Sequence, residues 1–151
     1  MARKYILLVE DNYYDELLTR RAFSKNNVAE QLEVVRDGVE AVEFLLGSSD
    51  EPKREPADLP ALVLLDFQLP RLNGIEVLER LRKSDRTRNL PVIMLTSSDE
   101  ERDIQRTGEL GVVCYLRKPV DFQEFVKMVG GLSQAWLQNE ENVSNMKKDP
   151  S

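Results

Sequence analysis

Three carboxylates stand directly behind short apolar runs: Glu10 and Asp11 follow Tyr5 to Val9, and Asp66 follows Ala61 to Leu65. If those runs are neighbouring strands, the three acids meet in one crevice, where each pair about 4 Å apart repels by roughly 4 kcal/mol at an effective dielectric near 20. A cation must then sit between them. The chain has no histidine and one cysteine, Cys114, so the ligands are oxygens, which select a hard cation such as Mg²⁺. A fourth run, Val92 to Leu95, ends in Thr96-Ser97-Ser98, hydroxyls ahead of a helix start, an arrangement that receives phosphate. A fifth, Val112 to Leu116, leads into Arg117-Lys118-Pro119, where Lys118 can neutralise a phosphoryl oxygen. Each feature alone has a plainer reading. An acid after a strand caps the next helix, Ser98 with Glu101 is an ordinary capping box, and a lone rim lysine is a solvated charge. Three acids, a threonine and a lysine on four strand ends instead describe a site that takes an anionic ligand and a metal together.

The elements that would carry these residues follow from periodicity. Leu32 to Val35 is the remaining short apolar run, and the near-continuous Val/Ile/Leu content of all five suits strands buried on both faces. Between them lie helical stripes: Tyr14, Leu17, Leu18 and Ala22; Val39, Val42, Leu45 and Leu46; Ile75, Leu78 and Leu81. From Ser98 to Glu109 the one strong apolar anchor is Ile104, so that helix is expected to pack lightly. Asp121 with Glu124 reads as the start of a last helix that buries Phe122, Phe125, Val126 and Val129. Strand and helix alternate five times, which implies an α/β domain with a parallel sheet, right-handed crossovers and a ligand crevice at the carboxyl ends of the strands. The segment from Gly47 to Pro60, rich in proline and charge, is expected as an exposed loop.

Composition excludes several classes. With 151 residues, one domain is expected, spanning residues 1–138 and followed by a polar tail, 139–151. The net charge of -6 disfavours nucleic acid and anionic membranes as partners. No apolar stretch approaches the roughly 20 residues of a membrane span, and the amino-terminal apolar run is too short for a signal peptide, so a cytoplasmic protein is expected. Without histidine there is no Ser-His-Asp hydrolysis, Cys-His proteolysis or imidazole-bound metal. No phosphate-binding glycine loop of nucleotide-dependent enzymes is present, so a phosphoryl group would have to come from another protein.

Five motifs in order, Val9-Glu10-Asp11-Asn12, Leu64-Leu65-Asp66-Phe67-Gln68-Leu69-Pro70, Asn73-Gly74, Leu95-Thr96-Ser97-Ser98 and Tyr115-Leu116-Arg117-Lys118-Pro119, make the chain resemble a two-component response regulator receiver domain from about Lys4 to Val129. The long loop before the third strand, Cys114-Tyr115 and Ala135-Trp136-Leu137 are similar to the small single-domain regulators that serve bacterial and cyanobacterial phytochromes. The resemblance implies a flavodoxin-like, doubly wound sheet of order 2-1-3-4-5. It makes Asp66 the phosphoacceptor, Glu10 and Asp11 the acidic pair for Mg²⁺, the carbonyl of Gln68 a further metal ligand, and Lys118 the phosphoryl partner. Thr96 becomes the switch hydroxyl and Tyr115 the switch aromatic, while Pro119 would follow a cis peptide aiming Lys118 inward. The acidic pair departs from the commoner Asp-Asp in having Glu10 first. The implied protein is a signalling domain and not an enzyme, assisting its own phosphotransfer and slow dephosphorylation, with a sensor histidine kinase of phytochrome type as partner.

Two rivals are weaker. An Asp-nucleophile phosphatase of the haloacid-dehalogenase type needs a second acid two residues past the first, and Gln68 occupies that place. A receiver-like binding module or flavin carrier has no use for the complete set of acceptor, acids and lysine. Beyond Gly130-Gly131, where the last helix should kink or pause, the apolar Leu132, Trp136 and Leu137 continue. They either fold back onto the domain or, as the sharper expectation, form an interface with a second copy in a homodimer or with the kinase.

Overall fold

The five apolar runs form one parallel sheet in the expected order, β2-β1-β3-β4-β5. The computed structural model describes residues 4–47, 58–96, 101–117 and 121–138. Along these run β1 (Ile6–Val9), α1 (Tyr13–Lys25), a 3-10 turn (Ala29–Gln31), β2 (Leu32–Val35), α2 (Gly38–Leu46), β3 (Leu62–Asp66) and α3 (Gly74–Lys83). They continue with β4 (Val92–Thr96), α4 (Glu101–Glu109), β5 (Cys114–Arg117), α5 (Phe122–Leu132) and a π-helical turn (Ser133–Leu137). Alternation along the strands divides the apolar interior in two. Leu7, Val9, Val63, Leu65, Val92 and Met94 face α2 and α3. Ile6, Leu8, Leu62, Leu64, Ile93 and Leu95 face α1 and α5. Both sides of the central strands are therefore buried, which is why their sequences read as continuous apolar runs. Among the described residues no helix is long and apolar enough to cross a membrane.

The helices differ from their expected faces in instructive ways. Tyr14, expected in the buried stripe of α1, is 66% exposed, and Leu17 and Leu18 are half-buried. The inward face is Glu16, Thr19, Ala22 and Phe23. A carboxylate can occupy it because Arg36, just past β2, donates to both Glu16 oxygens at 3.1 and 2.9 Å, with Arg20 donating at 2.9 Å. Burial pushes the Glu16 carboxyl pKa up, but the bonds and charges of Arg20 and Arg36 outweigh it and hold the group below its ordinary value of 4.5. On α4, Ile104 is 41% exposed, and it is Thr107 that is buried, its hydroxyl donating to the carbonyl of Ile104. The light packing expected of this helix is present, without the expected anchor. The fifth strand begins at Cys114, not Val112, and its side chains are exposed or half-buried, because it is an edge strand paired to β4 alone and Gly111, at φ 74°, is still turning the chain out of α4.

At the carboxyl end the helix runs through Gly130-Gly131 without a break. Gly130 packs so close to α1 that a Cβ there would lie 3.0 Å from Asn26 Oδ1, while Asn26 Nδ2 donates to the Val126 carbonyl. The continuation widens to the π turn, closed by the Gln138 N–H on the Ser133 carbonyl. Leu132, at the end of α5, and Leu137, at the end of the π turn, both lie in the second core, where each is 7% exposed, and Trp136 packs partly buried against it. Of the three residues expected at an interface, Leu132 and Leu137 are covered by their own domain and Trp136 is covered in part.

One arginine ties the far end of the sheet together. Arg82, in α3, donates to the carbonyls of Leu110, Thr87, Arg88, Leu90 and Gly111 at 2.6 to 3.3 Å, joining the turn before β4 to the turn before β5. Burial lowers its pKa, so the guanidinium is held by carbonyl dipoles in place of solvent. Arg82→Ala leaves these acceptors without their donor and is expected to cost about 2–4 kcal/mol of unfolding free energy, read from urea midpoints. Glu16 adds a pH dependence. Its folded pKa lies below its unfolded one, so its contribution is complete above the unfolded value and is lost as pH falls through the folded one. Wild-type stability should therefore fall more steeply than that of Glu16→Gln between about pH 5 and pH 3.

Candidate functional site

The register of the sheet brings the sequence-selected acids to one edge. Val9 pairs with Val35 on one side and Leu65 on the other, so Glu10 and Asp66 emerge side by side from β1 and β3. One carboxylate oxygen each from Glu10, Asp11 and Asp66 lies within 4.8 Å of the others. Glu10 is 1% and Asp66 6% exposed, whereas Asp11 faces solvent. A half-buried triad of oxygens, two with little water to screen them, fits a hard divalent cation. Thr96 ends β4, 1% exposed, beside β3 in the sheet, and pairs in register with Arg117 of β5. Tyr115 is half-buried against the first core.

Local sequence explains how these loops hold their acids. Asn12 caps α1 by accepting from the Asp15 N–H at 3.0 Å, and its own N–H points to Glu10 Oε2 at 3.3 Å. Asn73 caps α3 with a reciprocal box to Glu76. Gly74 then lets the first turn of α3 press against β3, where a Cβ would come within 2.5 Å of the Asp66 carbonyl and 2.8 Å of Phe67 Cα. Both helix starts thus aim their positive ends at the acidic loops. The Gln68 N–H donates to Asp66 Oδ1 at 3.2 Å, which fixes the carboxylate and turns the loop back over it. Gln68 itself is exposed. The Asn-Gly pair was visible in the sequence, but the close approach that needs Gly74 was not. Lys118, Pro119, Ser97 and Ser98 lie outside the described residues.

Comparison with known proteins agrees with this geometry. The family model described as response regulator receiver domain matches residues 6–130. Response regulator Rcp1 of a Synechocystis species is 36% identical over 135 residues, covering 89% of this chain and 90% of that protein. The crystal structure of the Mn²⁺-bound form of Rcp1 superposes with a TM-score of 0.71 at 33% identity, covering 90% of this chain and 96% of the other. That of the phosphorylated cyanobacterial phytochrome response regulator RcpA gives 0.75 at 35% identity, covering 91% and 96%.

Repulsion within the triad makes a two-sided prediction. In chelator, Asp11→Asn removes one like charge and is expected to raise the thermal midpoint slightly, by up to about 1 kcal/mol of stability for a solvent-facing charge near 4 Å. In millimolar Mg²⁺ the wild type gains stability by ligand linkage and the variant loses that gain. Differential scanning fluorimetry in both buffers reads both effects. A full Mg²⁺-dependent shift in Asp11→Asn removes the triad as the metal site.

Proposed function

This chain belongs to the response regulator receiver family, and from that premise we propose that Asp66 is its phosphoacceptor, charged by a histidine kinase of phytochrome type. The observation that carries the reading is the meeting of Glu10, Asp11 and Asp66 at the end of β1 and β3, with the Thr96 hydroxyl at the end of the next strand. Mg²⁺ is the cofactor that fits: Glu10, Asp11, Asp66 and the Gln68 carbonyl would hold it, and it would supply positive charge against the charge of the phosphoryl group. The kinship with RcpA and Rcp1 supports the phytochrome-type donor.

The residues of the chain then divide the work. A carboxylate oxygen of Asp66 attacks the phosphorus of a phosphohistidine, the new O–P bond forms as the N–P bond breaks, and the leaving imidazole nitrogen takes a proton. The Gln68 N–H holds the Asp66 carboxylate in line. Lys118 would neutralise one phosphoryl oxygen, so the domain assists its own charging and its slow discharge, in which water attacks the phosphorus, the bond to the Asp66 oxygen breaks and inorganic phosphate leaves. The phosphoryl group, with about -1.5 to -2 charge, draws the Thr96 hydroxyl toward it, and Tyr115 follows into the space left. The output is a protein contact. Ile104, exposed on α4 near this end of the switch, offers an apolar position for it, with a second copy of the chain as the expected occupant. The functional unit extends to about residue 138, past the end of the family match, because Leu132 and Leu137 belong to its core.

Incubating the protein with a purified phytochrome-type kinase and labelled ATP tests the assignment. The wild type should acquire acid-stable, base-labile acyl phosphate, and Asp66→Asn should fall to background with its thermal midpoint retained. Undiminished labelling of the variant rejects Asp66 as the acceptor.

A further inference from the structure

Resting on the metal-site reading above, we infer that the junction between β2 and α2, Arg36-Asp37-Gly38, is a positioning element that sets the spacing of the acidic loops, although it supplies no ligand. The contacts run through consecutive residues. The Val35 carbonyl accepts from the Glu10 N–H at 3.0 Å, fixing the start of the loop that carries Glu10 and Asp11. Arg36 grips the other end of that loop, one turn into α1, through its two bonds to buried Glu16. Asp37 caps α2 by accepting from the Glu40 N–H at 2.7 Å and turns its second oxygen to Arg71 Nη1 at 3.4 Å. Gly38 donates to the Pro70 carbonyl at 3.4 Å and lies so close to the next residues that a Cβ would fall 1.8 Å from the Leu72 carbonyl oxygen. Pro70 to Leu72 belong to the loop that begins at Asp66 and includes Gln68.

Four residues in a row therefore hold one acidic loop on one side and the other acidic loop on the other. The second loop is held against its own preference, since Arg71 adopts φ 69°, in the left-handed region that non-glycine residues occupy when their surroundings demand it. A bound metal needs its oxygens at fixed separations, and Mg²⁺ tolerates less departure from octahedral geometry than larger ions. Residues that set the relative position of the two loops thus act on affinity through the ligands, and they act most on Mg²⁺.

Isothermal titration with Mg²⁺ and with Mn²⁺ tests this on the full chain, using Arg36→Met, Arg71→Met and their combination. Each single change is expected to weaken Mg²⁺ binding about threefold to tenfold, less than loss of a group bonded directly to a metal ligand because neither arginine touches one, with the combination weaker still and Arg36→Lys recovering part of the loss. Urea unfolding in chelator separates positioning from general loosening. If Arg36→Met and Arg71→Met bind Mg²⁺ within about twofold of wild type while Asp11→Asn does not bind, the junction is structural only and the inference falls. If Asp11→Asn binds Mg²⁺ as the wild type does, the metal-site reading falls first.

Discussion

Glu10, Asp11 and Asp66 bring carboxylate oxygens within 4.8 Å of one another at the carboxyl end of a sheet whose central strands are buried on both faces, and the backbone that carries them must keep these like charges together despite their mutual repulsion. That backbone has little freedom to relieve it. Ile6 to Val9 and Leu62 to Leu65 are all fully buried, so β1 and β3 cannot slide apart without opening both cores. The helices that follow them are capped by Asn12, whose N–H also points to Glu10 Oε2, and by Asn73. Gly74 removes the one side chain that would hold α3 away from β3. The fold thus gathers three like charges where a cation and an anionic group would be bound together, which is the general logic of ligand sites at the carboxyl ends of parallel strands.

Anchoring is unequal across the molecule. On the side of α1 and α5, Asn26 bridges the two helices, Gly130 lets them touch, and the π turn closes the core with Leu137. At the base, Arg82 binds five carbonyls of two turns. On α4, among the described side chains, Thr107 alone is buried, and Arg106 reaches across to Glu79 of α3 at 3.0 Å in a solvent-exposed ion pair. Exposed pairs of that kind contribute little after screening and side-chain ordering. The carboxyl end of α4 is fastened through Leu110 and Gly111 to Arg82.

How much of this could be read from residues follows from the range of each signal. Strand positions and the acids behind them were legible because burial on both faces leaves an unmistakable apolar run, and five parallel strands with helical crossovers leave few topologies. The strand order came with the family resemblance. Helix faces were less legible. Glu16 reads as a solvent residue until its partner Arg36, 20 positions away, is known. Tyr14 reads as core until that rotation of α1 is seen. Leu132 and Leu137 looked unpartnered because a π turn has no sequence signature, and the interlock of Gly38 with Leu72 depends on a loop approach that neither segment announces alone.

The unequal anchoring fixes the direction in which a charge added at Asp66 can act. The strands bearing the acids cannot respond, since each is packed on both faces. Thr96 is the last residue of β4, next to β3, and its backbone leads directly toward α4. A charge-assisted hydrogen bond from its hydroxyl to a phosphoryl oxygen contributes about 1.5–3 kcal/mol, a tenfold to hundredfold shift in a two-state equilibrium. Against the buried strands of either core that amount is small. Against a helix whose described side chains bury one threonine, it would be enough to shift α4, with the half-buried Tyr115 on the adjoining edge strand as the residue proposed to follow. Under the proposed switch, the lightness of α4 is therefore the property that would let a single hydroxyl report the state of Asp66.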